Sequence, residues 1–356
     1  MSESFWRGRR VLLTGHTGFK GSWLSLMLQR LGADVAGFAL PPPAPSLFEL
    51  AQVGEGMESR FGDIRDLPQV CAYVKEVCPE IVIHMAAQAL VRESYESPVE
   101  TYATNVMGSV HVLEAVRRVP QVRAVLNVTS DKCYENMEWE WPYRETDRLG
   151  GADPYSSSKG CAELVTSAYA RSFLTDAGVA VATARAGNVI GGGDWAKDRI
   201  VPDAIDAFTG LHTLVVRNPL AVRPWQHVLE PLTGYLQLCE RMIDNPPKYS
   251  RAWNFGPAAD DVQPVGRVAD MLCARWGKGA SWTTSTSSEA HEARLLRLDS
   301  SAARAELGWQ PTWKVSGAIE RTVDWYKTWA SGGDVREVTL AQADEYQTAT
   351  NERIHA

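Results

Sequence analysis

The sequence predicts a doubly wound, Rossmann-like α/β fold: a parallel sheet joined to a second, smaller mixed α/β substrate domain. Short apolar runs alternate with helical patterns six times before residue 187. A glycine-rich turn from Gly15 to Gly21 follows the first run and opens the first helix. A polar cluster sits directly after the apolar run Ala124 to Val128, at the strand end where open α/β sheets hold their ligands.

A chain of 356 residues exceeds one ordinary domain. The expected division is a dinucleotide-binding domain over 1–187 and a mainly substrate domain over 188–356, with part of 224–260 returning to the first. Hydrophobic residues at 45% and charged residues at 22% are globular values. Lys+Arg 36 against Asp+Glu 43 gives a net charge of -7 without a basic block, which excludes a nucleic-acid surface. An anionic ligand must therefore be held by local arginines and backbone amides. No apolar run reaches the roughly 18 residues of a membrane span, and Phe5, Trp6, Arg7, Arg9 and Arg10 form no signal core. A cytoplasmic protein with no membrane partner is expected. Cys71, Cys78, Cys133, Cys161, Cys239 and Cys273 show no CxxC pair, so thiols in a reducing compartment are expected, without a metal site.

Arg10 to Thr14 is the first strand, and an amphipathic helix is expected from Ser22 to Leu31. Between them Gly15, Thr17, Gly18, Phe19 and Gly21 make a GxxGxxG cradle, where absent side chains let a pyrophosphate approach backbone amides at the helix start. Asp34 to Leu40 is the second strand. Its end carries neither a carboxylate for an adenosine ribose nor an arginine for a 2′-phosphate, so this position selects neither NAD nor NADP. Pro41, Pro42 and Pro43 then form a stiff, exposed turn. Ser59 to Ile64 is the third strand, with Asp63 placed to accept from an adenine amino group and Ile64 beside it. Leu67 to Val77 is helical. Ile81 to Met85 reads as a fully apolar fourth strand, followed by Ala86, Ala87 and Gln88, small residues where a dinucleotide passes. Val99 to Val119 is a long helix carrying Asn105, a residue that mid-helix usually faces solvent or bonds backbone.

The fifth strand, Ala124 to Val128, delivers Ser130, Asp131 and Lys132. A helix through Ala170 carries Tyr155 and Lys159 one turn apart on one face. A tyrosine, which ordinarily ionises near pH ~10, is a poor base, and a neighbouring ammonium favours its phenolate. Val179 to Arg185 is the sixth strand. Gly191 to Trp195 is expected to be a flexible turn and Ile200 to Gly210 a helix. Arg217 and Arg223 flank an apolar segment, either as a diphosphate clamp or as solvated surface charges. Pro311 to Trp329 is the last well-patterned helix; the residues from Gly332 onward are polar and in part helical.

The glycine turn, the trio after strand five, YxxxK and the later arginines together resemble the extended short-chain dehydrogenase/reductases that act on nucleotide sugars, from Arg10 to Trp329. Ser130-Asp131 followed by another ionisable residue resembles their 4,6-dehydratases. Most of those carry Thr-Asp-Glu where this chain has Ser-Asp-Lys, and that change, with Gly15 to Trp23 and Leu40 to Pro43, is similar to the branch acting on CDP-glucose. The resemblance implies NAD as cofactor, CDP-glucose as substrate, and loss of water to a 4-keto-6-deoxy sugar for deoxysugar and O-antigen biosynthesis. It implies catalytic roles for Ser130, Asp131, Lys132, Tyr155 and Lys159, with Lys132 as base and Asp131 as acid. It further implies diphosphate contacts from Asn188, Arg199, Arg217 and Arg223. Helices Val99–Val119 and Tyr155–Ala177 would pair copies into a homodimer or homotetramer. A nucleotide-sugar 4-epimerase, a dehydratase for another nucleotide and a non-catalytic dinucleotide sensor remain the alternatives.

Overall fold

The computed structural model describes residues 2–285 and 294–355. Its strands are β1 (Arg10–Thr14), β2 (Asp34–Ala39), β3 (Glu58–Phe61), β4 (Ile81–His84), β5 (Ala124–Val128), β6 (Ala180–Ala186), β7 (Leu214–Val216), β8 (Ala252–Phe255) and β9 (Trp282–Thr284). Seven form one parallel sheet in the order β8-β6-β5-β4-β1-β2-β3. Strand order reverses between β1 and β4, where Thr14 pairs with His84, and this switch point opens a ligand crevice at the carboxyl ends. β7 and β9 pair apart from that sheet.

Side chains alternate across each strand, so Leu12 packs on one face while Val11 and Leu13 pack on the other. On Leu12's side lie α2 (Leu67–Val77), α5 (Gly108–Val116) and α6 (Pro154–Tyr169); opposite lie α1 (Phe19–Arg30) and α8 (Leu229–Asp244). Both faces are covered, which explains why these strands read as continuous apolar runs. α2 starts where Asp66 accepts from the Gln69 amide, and α6 where Asp153 accepts from the Ser156 amide with Pro154 at its first turn.

Several expectations change. α1 starts three residues early and is buried nearly all round, not amphipathic, because α8 and the C-terminal helix α11 (Val335–His355) cover the side away from the sheet. β4 is not wholly apolar: its buried His84 holds Thr14 Oγ1 at 2.7 Å and Ser109 at 3.2 Å. The long helix around Asn105 runs unbroken from Pro98 to Val116, as α4 (Pro98–Tyr102), a π-turn over Ala103–Met107 and α5, with the short α3 (Val91–Glu96) before it. The triple glycine is buried and tightly packed rather than flexible, since a Cβ on Gly192 would lie 2.0 Å from the ring of Trp325 in α10 (Val315–Ala330). α11 is helical throughout, its Tyr346 hydroxyl bonding buried Glu230.

Glu163, one turn beyond Lys159, ties the layers together. Its carboxylate takes bonds from Arg185 Nε and Nη2 at 2.8 Å each, from Thr183 at 2.7 Å and from Thr129 at 2.5 Å. Arg185 reaches on to Tyr134, whose hydroxyl bonds Asn254 at 2.7 Å in β8. α6, β5, β6 and β8 are thereby pinned by one buried pair. Glu163→Ala strands a buried guanidinium, and urea unfolding of this variant should show a loss of about 3–5 kcal/mol; a loss under about 1 kcal/mol would show the network to be dispensable.

Candidate active site

A cavity of about 1000 Å³ runs from the glycine turn past the ends of β4 and β5 to α7 (Ile200–Thr209) and β7. The cradle fits a dinucleotide. Gly15 has φ +77°, a Cβ there would lie 2.7 Å from the Ala86 amide nitrogen, and one on Gly21 would lie 2.0 Å from the Gly15 carbonyl oxygen. Gly18 and Phe19 line the cavity where α1 begins, so the unpaired amides of its first turn are available to phosphate. Thr17 donates to the Leu40 carbonyl at 2.9 Å, fastening the turn to the end of β2. Leu40, Pro41 and Pro43 also line the cavity, so the proline turn borders the site.

Asp63 lies in the loop after β3, where bonds from Arg65 hold its carboxyl below the usual range. It lines the cavity with Ile64, Ala86, Ala87 and Gln88. Asn105, buried in the π-turn, accepts from the Gln88 amide at 2.9 Å and donates to the Gln88 carbonyl at 3.0 Å and Ser158 at 2.9 Å. Its role is to splint that loop onto α6. The sequence placed Asn105 inside a helix but gave no sign of these bonds, because a π-turn leaves no period from which its direction could be read.

At the end of β5, Ser130 caps a tight turn over Asp131–Cys133, accepting from the Lys132 amide and donating to Asp131 Oδ1 at 3.1 Å. Asp131 is buried, its Oδ2 has no hydrogen-bond partner, and burial raises its carboxyl against the influence of Lys132, Ser130 and Arg223. Tyr155 and Lys159 face the same cavity from α6. The expectation that Lys159 lowers the phenol is not met. Burial pushes Tyr155 up to about 12, against the influence of the Ser130 hydroxyl and the charge of Arg199. Burial also lowers Lys159 to about 8, with Glu163 resisting, and its Nζ lies 3.4 Å from the Val128 carbonyl.

Lys20 and Tyr235 were missed. Lys20, half-buried at the cavity wall in the glycine turn, donates to the Tyr235 hydroxyl at 3.1 Å, and burial with the charges of Lys159 and Arg199 lowers it to about 7. A lysine inside a phosphate cradle was the sequence signal for it. Among the substrate candidates, Asn188, Arg199, Arg217 and Arg223 all line the cavity. Arg199 bonds Asp194 at 2.9 Å, Arg217 bonds Asp198 at 2.6 Å, and buried Arg223 donates to the Val222 carbonyl at 3.0 Å. The surface-charge alternative therefore fails for Arg223. Among the described residues no His/Cys/Asp/Glu group could hold a metal ion, no helix is long and apolar enough to cross a membrane, and the six cysteines are free thiols.

The chain is 51% identical to CDP-glucose 4,6-dehydratase of Salmonella typhimurium, over 98% of this chain and 99% of that protein. Its fold matches UDP-glucose-4-epimerase of Stenotrophomonas maltophila, solved with bound NAD, at a TM-score of 0.79 and 22% identity, covering 91% of this chain and 100% of that one. It matches the dTDP-glucose 4,6-dehydratase of Streptomyces venezuelae, solved with NAD and TYD, at a TM-score of 0.78 and 22% identity, covering 92% and 99%. These two establish the doubly wound parallel fold expected from the glycine turn and the alternating strands. The pattern of the GDP-mannose 4,6 dehydratase family matches residues 12–322, and this chain belongs to that family.

Proposed function

We propose that the chain is an NAD-dependent lyase converting CDP-glucose to CDP-4-keto-6-deoxyglucose and water. The observation that carries this reading is Asp131: a buried carboxyl with one unpartnered oxygen, in the cavity that Tyr155 also lines and next to Lys132. A 4-epimerase needs the Tyr155/Lys159 pair but no such acid. The 51% identity to the Salmonella enzyme supports the same conclusion.

Water cannot be eliminated across C5 and C6 of a hexose while C5–H is unactivated. NAD, which Gly15, Thr17, Gly18, Phe19, Gly21, Asp63, Ile64, Ala86, Ala87, Gln88, Tyr155 and Lys159 would hold, would supply hydride uptake from C4 and its return to C6. Ser130 and Tyr155 bond the 4-hydroxyl, and Tyr155 takes its proton. The C4 ketone acidifies C5–H. Lys132, as the neutral amine, takes that proton, and protonated Asp131 gives its own to the departing O6. Asn188, Arg199 and Arg223 hold the diphosphate, with Arg217 on the nucleotide beyond it. In this scheme 1–187 forms the dinucleotide-binding unit and 188–356 mainly the substrate unit, with part of 224–260 returning to the first.

The protein works as a homodimer or homotetramer in the cytoplasm, contributing to deoxysugar and O-antigen synthesis. Exposed Tyr95, Val99, Tyr102, Met107, Leu164 and Phe173 on the helices of 91–116 and 154–174 support pairing, and free thiols suit a reducing compartment.

Incubation with CDP-glucose in deuterated water should give a product lighter by one water and carrying one deuterium at C5; recovery of the C4 epimer alone overturns the reading. Tyr155→Phe should lower turnover about 10²–10⁴-fold and stop C4 oxidation. Lys132→Ala should stop dehydration yet leave C4 oxidation visible as absorbance of the reduced nicotinamide. Because Asp131 must carry its proton and its carboxyl is raised, dehydration should fall as pH rises through that raised value; the residual rate of Asp131→Asn should lack that alkaline limb.

A further inference from the structure

The three arginines of the substrate arm do not lie equally close to the chemistry. Arg223 is anchored at the catalytic strand ends: Pro224 packs so tightly on Gly187 that a Cβ there would lie 2.3 Å away, and the Gln226 amide donates to the Asn188 carbonyl at 3.0 Å. The charge of Arg223 reaches Asp131, and that of Arg199 reaches Tyr155 and Lys20. Arg217 follows β7, which pairs with β9 away from the main sheet, and its charge acts on Asp203 instead. A nucleotide sugar is linked in the order hexose, diphosphate, ribose, base. With the hexose at Tyr155 and the diphosphate at Arg199 and Arg223, the base arrives at Arg217.

Arg217 there holds a fixed partner. Its Nη1 donates to Asp198 Oδ1 at 2.6 Å and its Nη2 to the Asp198 carbonyl at 3.1 Å. Arg92, reaching from α3, donates to the same Oδ1 at 3.1 Å. Asp198 has φ +64°, a left-handed conformation uncommon for a residue other than glycine, and these bonds hold it there. A carboxylate has about four acceptor directions, more than two guanidiniums use.

We infer that Asp198 and Arg217 read the edge of the cytosine base, the carboxylate accepting from the N4 amino group and the guanidinium donating to N3 and O2. Uracil and thymine present a carbonyl at position 4 and an N–H at N3, which would set acceptor against acceptor and donor against donor. This rests on the CDP-glucose reading above and adds the residues that select the nucleotide.

The test compares kcat/KM for CDP-glucose and UDP-glucose in the wild type, Asp198→Gly and Asp198→Asn. Glycine suits the left-handed backbone. The preference of the wild type for CDP-glucose should shrink about ten- to hundredfold in Asp198→Gly, with the loss in KM rather than kcat. In Asp198→Asn, whose amide can donate to O4, turnover of UDP-glucose should rise. An unchanged preference, or an equal loss on both substrates, overturns the inference. Calorimetric binding of CMP and UMP separates this from the activity reading: if the wild type makes no 4-keto product, a CMP preference that disappears in Asp198→Gly still supports base reading, and one that survives overturns it.

Discussion

Burial of ionisable groups around the crevice between the glycine turn and the carboxyl ends of β5 and β6 is the constraint on which the rest of this structure depends. Four groups there shift toward their uncharged forms for the same reason: Lys20 falls to about 7, Lys159 falls to about 8, Tyr155 rises to about 12 and Asp131 rises. Each shift has desolvation as its largest cause. A wet crevice would leave Asp131 an ordinary carboxylate, unable to protonate a leaving hydroxyl near neutrality. Such a site is tolerable because its supports are fully bonded. Glu163 and Arg185 neutralise each other beneath it, and their hydrogen bonds fix Thr129, which immediately precedes the catalytic turn.

The same constraint explains why Lys159 alone does not ionise Tyr155. Its ammonium lies near the Val128 carbonyl and is itself destabilised by burial, so it cannot offset the desolvation of a phenolate. In the proposed scheme Tyr155 therefore relies on groups besides Lys159, of which Ser130 and Arg199 already oppose its upward shift. Lys159 and Ser130 are in place, one positioned through α6 and the other through the turn it caps.

The fold was legible because its strands are buried on both faces, and continuous apolar runs such as Ala124 to Val128 are recognisable without knowledge of their partners. The glycines were legible for a local reason, since Gly15 and Gly21 sit where no Cβ fits. What escaped was set by contacts distant in sequence. The return of part of 224–260 was expected, but β8 itself, four residues long, has too little pattern to be read as a strand or placed beside β6. Asn105 lost its period to a π-turn, and α11 looked polar because its buried positions are occupied largely by Thr339, Gln342 and Thr350. Asp198 belongs to the same class: nothing in Lys197-Asp198-Arg199 indicates that the carboxylate meets guanidiniums from α3 and from the end of β7.

The Ser-Asp-Lys trio raises a question that a Thr-Asp-Glu trio does not. A glutamate base is already ionised at neutral pH, whereas in the scheme proposed above Lys132 must first give up a proton and its neighbour Asp131 must hold one. Moving one proton from Lys132 to Asp131 satisfies both conditions and leaves the summed charge of the pair unchanged. Water favours the ion pair; burial opposes it, at a cost of roughly several kcal/mol for each desolvated ion. On Asp131, burial is the largest influence and the Lys132 charge the next. The unpartnered Oδ2 supplies no hydrogen bond that would reverse the balance. Burial thus favours the protonated Asp131 that the proposed elimination asks for, while half-buried Lys132 stands next to it at the same turn.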